Sequence, residues 1–154
     1  MKSLVIYDSR FGNTKEIAEI VAEVTGGETL CVTDFTPSML AEVDLVIIGS
    51  PIHGWHPSEA TSNFLAHLEA SELKGKYVAA FDTGYASRLS GSAADRIMKA
   101  LKKAGGIPLI PTHKFIVEGA EGPLGPDETT RANVWGHELK TEYERLSQHA
   151  GPVV

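Results

Sequence analysis

The stretch from Leu4 to Thr14, LVIYDSRFGNT, constrains this chain more than any other, because it runs without a break into KEIAEIVAEV. Leu4, Val5, Ile6 and Tyr7 form a short continuous apolar run, the pattern of a strand buried on both faces of a parallel sheet. Ile17, Ile20, Val21 and Val24 then recur at helical spacing. A strand, a tight polar turn and a helix opening leave backbone N–H groups pointing outward, a geometry suited to an anion. Ser9 to Thr14 therefore reads as a phosphate cradle. Ser9 and Thr14 offer hydroxyls, Asn13 an amide, and Arg10, Phe11, Gly12, Asn13 and Thr14 their backbone N–H groups, with Gly12 letting the chain turn and approach closely. The alternative is a purely structural βα turn capped by Asn13 or Thr14. Neither GxxxxGK[ST] nor GxGxxG follows this strand, so a monophosphate suits the loop better than a triphosphate with Mg²⁺.

The same alternation continues along the chain. Gly26-Gly27 ends the first helix, Glu28 to Thr33 is a second strand, and Pro37 to Val43 a short helix or turn. Asp44 to Gly49 is a third strand, and Ser58 caps a helix presenting Phe64, Leu65 and Leu68. Lys74-Gly75-Lys76 turns into a fourth strand, Tyr77 to Phe81. Ser90-Gly91 opens a helix carrying Ala94, Ile97, Met98 and Leu101, which Gly105-Gly106 closes. Ile107 to Val117 is a fifth strand, interrupted near Pro108 and Pro111 because proline cannot donate to the ladder. After a glycine- and proline-rich loop from Glu118 to Pro126, Asp127 caps a last helix with Trp135, Leu139, Tyr143 and Leu146. Strands alternating with helices predict an α/β fold with a parallel sheet covered on both faces. With 154 residues and no linker, repeat or low-complexity segment, residues 1–154 read as a single domain.

Three strand ends run into loops rich in Gly, Ser, Thr and aromatics. In an open parallel sheet such loops converge on one site beyond the C-terminal strand ends. The second loop is Ser50, Pro51, Ile52, His53, Gly54 and Trp55, followed by His56 and Pro57. Trp55 reads as a face for stacking on a planar ligand, against the alternative of packing on the adjoining helix. His53 suits a donor at the ligand's ring edge. No carboxylate or cysteine at ligand spacing accompanies the histidines, so no metal is expected. The third loop is Asp82, Thr83, Gly84, Tyr85, Ala86, Ser87 and Arg88. Tyr85 offers a second stacking face, and Arg88 reads as a solvated charge. Trp135 belongs to the core, and His67, His113, His137 and His149 receive no role. The lone Cys31 reads as a small buried apolar side chain, and no intrachain disulfide can form.

The motifs Y-D-S-R-F-G-N-T, G-S-P-I-H-G-W and F-D-T-G-Y-A together resemble the three FMN-contacting loops of the flavodoxin-like family. The likeness spans nearly the whole chain. Ser9, Gly12 and Thr14 match the family's phosphate pattern [ST]-x-[ST]-G-x-[ST], and Phe11 departs from it. Y-D-S-x-x-G-x-T is also similar to the flavodoxin domains of flavodiiron proteins, and G-S-A-A-D-R-I with E-G-P-L to stand-alone members of the family. The resemblance implies a three-layer fold with a five-stranded parallel sheet in order 2-1-3-4-5. It implies FMN as cofactor, its phosphate on Ser9 to Thr14 and its ring between Ser50 to Trp55 and the stretch from Asp82 to Tyr85.

The expected function is a low-potential FMN electron carrier between redox partner proteins, a reductase or an acceptor, with no catalytic side chain of its own. One alternative is an FMN-dependent reductase or oxidase of a quinone or other small substrate, with His53 or His56 assisting proton transfer. Another is a flavin-free binding module. The Glu118 to Pro126 loop could join a substrate pocket or a homo-oligomer contact. A formal charge of −6 argues against nucleic acid as a partner. No signal peptide follows Met1-Lys2 and no apolar run is long enough for a membrane span, so a cytoplasmic protein with no membrane insertion is expected.

Overall fold

The computed structural model describes residues 1–86 and 92–149. Seven strands are present among them: β1 (Ser3–Tyr7), β2 (Glu28–Cys31), β3 (Leu45–His53), β4 (His56–Pro57), β5 (Tyr77–Gly84), β6 (Ile107–Pro108) and β7 (His113–Ile116). The helices are α1 (Asn13–Thr25), α2 (Glu59–Ala66), α3 (Ala93–Lys103) and α4 (Glu128–His149). The sheet order is β2-β1-β3-β5-β6, with β7 also paired to β5 and β4 folded back on β3. Every pairing is parallel except that of β3 with β4. The expected order 2-1-3-4-5 is recovered once the short hairpin strand β4 is set aside and β6 and β7 are counted as halves of one fifth strand. Pro108 and Pro111 flank the break between those halves, as their missing N–H groups require.

Successive residues of each strand face opposite layers. Leu4, Ile6, Val46, Ile48, Val78 and Ala80 pack against α3 through Ala94, Ile97 and Leu101. Val5, Ile47, Ala79 and Phe81 face α1 and α4 through Ile17, Val21, Trp135 and Leu139. Trp135 is core as expected, meeting Phe81 edge-on with centroids 5.8 Å apart. No helix among the described residues is long and apolar enough to cross a membrane.

Several boundaries differ from the sequence reading. β3 and β5 run past the ends of their apolar stretches, because Ser50 pairs with Asp82 and Pro51 with Thr83. Residues 50–53 and 82–84 are thus strand, not loop. β2 stops at Cys31, and Val32–Asp34 tightens into a 3-10 turn. Cys31 is only half-buried, its Sγ 3.3 Å from the Thr33 hydroxyl, so it is not the fully buried apolar side chain expected. α3 begins at Ala93 and is capped by Ser92, whose Oγ accepts from the Asp95 amide at 3.0 Å. Ser90 and Gly91, expected to open it, lie outside the described residues. Asp127 does precede α4 and its carbonyl accepts the Arg131 amide, but its φ of 68° is left-handed rather than the extended backbone of an ordinary cap.

A polar clasp fixes the start of α4 to β7. Buried Glu128 accepts from the Ile116 amide at 2.6 Å and from Arg131 at 2.7 Å. Arg131 donates in turn to His113 Nε2 at 2.9 Å, which requires that nitrogen to be unprotonated. Burial, then the Arg131 charge, holds the His113 pKa below its ordinary 6.5. The clasp's contribution is therefore full above that value and lost as pH falls through the depressed one. Thermal unfolding at neutral pH and at about pH 5 should show a larger loss for the parent than for His113→Gln, whose amide oxygen can still accept from Arg131. Equal losses would remove His113 from the clasp.

Candidate functional site

The ends of β1, β3 and β5 open into one cleft of about 410 Å³, within the range of small-molecule sites. Of the residues singled out in the sequence, Ser9, Arg10, Phe11, Asn13, Thr14, Pro51, Ile52, His53, Gly54, Trp55, Thr83, Gly84 and Tyr85 line it. Val117 and Ala120 complete the lining. No carboxylate stands among the described lining residues, and Arg10 brings a positive charge, its guanidinium 5.3 Å from the Phe11 ring centroid.

Gly12 occupies the N-cap of α1 at φ 94°, a conformation that glycine adopts without strain, and supplies no side-chain cap. Its own amide donates to Ser9 Oγ at 3.1 Å, which holds the turn closed. The first helical bond runs from Glu16 to the Gly12 carbonyl, so the amides of Asn13, Thr14 and Lys15 have no acceptor within α1. The Thr14 hydroxyl lies 2.9 Å from that of Thr83, both buried, which ties the loop to β5. The side-chain amide of Asn13, which the sequence reading offers to the anion, has a partner within the protein. It donates to the Glu121 carbonyl at 3.3 Å.

The second wall is a two-residue hairpin. His53 pairs with His56, and both central residues have positive φ, Gly54 at 54° and Trp55 at 74°. That is the twist a tight β-hairpin favours, but a bulky side chain there costs about 1–2 kcal/mol. Trp55 gains little burial in exchange, since it is 50% exposed. Phe11 and Tyr85 are 47% and 49% exposed. Among the described residues these three are the exposed aromatics, and all of them line this cleft.

Three of the expected site residues, Gly12, Ser50 and Asp82, are not among the lining residues. Gly12 shapes the turn, as above. Ser50 is wholly buried: its hydroxyl accepts from the Ser58 amide at 2.9 Å and donates to the Pro51 carbonyl, bracing the hairpin against the start of α2. Asp82 is also wholly buried, and its Oδ2 accepts from the Ala94 amide at 2.9 Å at the start of α3. Its Oδ1 has no hydrogen-bond partner among the described residues. Ser87 and Arg88 lie outside the described residues. Sequence reasoning missed two lining residues: Val117, expected as the last residue of the fifth strand but lying just past β7, and Ala120, in the Glu118 to Pro126 loop that offered a pocket or an oligomer contact.

Burial raises the Asp82 pKa from 3.8 to about 6, against the opposing pull of the Ala94 amide and the Lys114 charge. A raised value means that its stabilising contribution is full below 3.8 and lost as pH rises through about 6. Asp82→Asn keeps an acceptor for Ala94 and cannot ionise. Denaturant unfolding across that interval should show the variant gaining on the parent as pH rises, by up to about 3 kcal/mol. A pH-independent difference would contradict the assignment.

Comparison with known proteins accounts for this arrangement. Residues 4–119 match the flavodoxin domain family. A flavodoxin from Maridesulfovibrio salexigens is 33% identical over 116 residues, covering 69% of this chain and 80% of that protein. Among solved structures, oxidised flavodoxin 2 from Bacillus cereus superposes with a TM-score of 0.80 at 21% identity, covering 92% of this chain and 99% of that one. Flavodoxin 1 from the same organism gives 0.78 at 22% identity, covering 92% and 98%. At such identities the structural likeness is one of fold, and it matches the sheet order found here. Sequence and fold agree: the chain belongs to the flavodoxin family, electron carriers whose cofactor is FMN.

Proposed function

We propose that this chain is a low-potential electron carrier between redox partner proteins, with FMN anchored by its phosphate on residues 9–14 and its ring between residues 51–55 and 83–85. The observation that carries the reading is the coincidence, in one cleft, of an uncapped helix N-terminus with the exposed aromatics Phe11, Trp55 and Tyr85. The residues fit the cofactor. The α1 amides and the Ser9 and Thr14 hydroxyls suit a dianion, and the aromatics suit a flat ring.

Magnitudes assign the parts. A ligand of about thirty heavy atoms at ~0.3 kcal/mol each reaches ~9 kcal/mol, micromolar or slightly tighter. Stacking adds only ~0.5–1.5 kcal/mol per aromatic beyond area burial. Charge-assisted hydrogen bonds contribute ~1.5–3 kcal/mol each, so the phosphate loop is the main anchor. Flavin supplies the redox chemistry when bound. The chain's own work is to orient the ring and exclude water from it. Ile52, Trp55, Tyr85 and Val117 give an added negative charge on the ring poor solvation, and the net charge of −6 opposes it further. Both effects lower the potential, against the positive charge of Arg10, the one Lys or Arg among the described lining residues.

Ser9→Ala with Thr14→Ala should lower FMN affinity at least tenfold in fluorescence titrations while leaving riboflavin affinity nearly unchanged. Parent-like FMN binding by the double variant would remove the phosphate assignment. Spectroelectrochemical titration should place the addition of the second electron below the potential of free FMN, and a value at or above it would sink the low-potential reading. Trp55→Gly should weaken FMN binding, yet leave the flavin-free protein as stable as the parent or more so, because it relieves the strain at φ 74°.

A further inference from the structure

The segment between β7 and α4 is folded, and it reaches back to the start of α1. Val117 and Leu124 form an antiparallel bridge. The Glu118 amide donates to the Pro123 carbonyl at 2.9 Å, and the Gly125 amide to the Ile116 carbonyl at 2.8 Å. At its tip, the Glu121 carbonyl receives the Asn13 side-chain amide, a contact spanning 108 residues of sequence. Gly122, at φ 104°, lies so close to Asn13 that a Cβ on it would sit 2.6 Å from Asn13 Oδ1. Val117 and Ala120, at the two ends of the first half of this segment, line the cleft.

Resting on the reading of the cleft as an FMN site, we propose that residues 117–125 form a fourth wall that closes over the phosphate end, with Asn13 as the positioning residue that fixes this wall to α1. The placement follows from Asn13 itself. It is the first residue of α1, so a segment locked to its side chain stands beside the amides that face the anion. The division of labour within Asn13 is then clear: its backbone N–H remains available to the phosphate, while its side chain holds the wall. Ala120, exposed and uncharged, lies on the inner surface of that wall.

A charge placed at residue 120 should therefore sense the dianion. Ala120→Lys and Ala120→Asp alter an exposed side chain and are expected to fold, which matching far-UV circular dichroism would verify. In fluorescence titrations at low ionic strength, lysine should tighten and aspartate weaken FMN binding, the two dissociation constants differing by about tenfold or more. Riboflavin, which lacks the phosphate, should differ by less than about twofold, and added salt should shrink the FMN difference. Introducing Asn13→Ala into both variants should reduce the lysine-to-aspartate ratio, because the wall is no longer held. Equal effects on the two flavins, or none on either, would overturn the wall. A ratio undiminished by Asn13→Ala would overturn the role of Asn13. A parent that binds riboflavin as tightly as FMN would instead overturn the phosphate reading, and the wall with it.

Discussion

The site depends on a helix that begins without a cap. With glycine at the N-cap of α1, no cap side chain satisfies the amides of Asn13, Thr14 and Lys15, and the helix dipole adds its positive end to theirs. Such an end is costly to leave dry and inexpensive to fill with a dianion. Its position is set by β1, paired on both sides from Leu4 to Tyr7, which fixes Tyr7 against Cys31 and Gly49 and so sets where the turn begins. The rest of the cleft is arranged around that fixed point.

Buried polar groups, some in the lining and some beneath it, hold the walls in register. The Thr14–Thr83 hydroxyl pair joins the phosphate loop to β5, and Ser50 joins the hairpin to the start of α2. Asp82 joins β5 to the start of α3, and leaving its Oδ1 unpaired carries a desolvation cost. The strained backbone of Trp55 is a cost of the same kind, borne at the rim instead of beneath it. Strain and a carboxylate with one oxygen unpaired among the described residues, gathered around one cleft, are costs to stability that a binding site tolerates.

Much of this was legible in the sequence, and what was not has physical reasons. The β1–turn–α1 unit could be read because apolar run, glycine and helical period coincide within a short window. The extent of β3 and β5 could not. Ser50, Asp82 and Thr83 are polar, and only their cross-strand pairing and buried hydrogen bonds make them interior strand residues. For the same reason Asp82 looked like a ligand contact when its carboxylate serves α3. The cleft-facing placement of Ala120 was out of reach altogether, since it depends on the contact between Asn13 and Glu121, distant in sequence and made through a backbone carbonyl. Local patterns locate the anchor, and long-range contacts decide what surrounds it.

The most direct test of the account is the phosphorus NMR spectrum of FMN bound to the purified chain, followed as pH is lowered. Free FMN shifts as its phosphate takes up a proton near pH ~6. If the amides of α1 and the hydroxyls of Ser9 and Thr14 hold a dianion, the bound resonance should keep its dianionic position well below that point. A bound resonance that titrates as the free one does would mean that the phosphate lies in solvent, and that the α1 N-terminus is not what holds the cofactor.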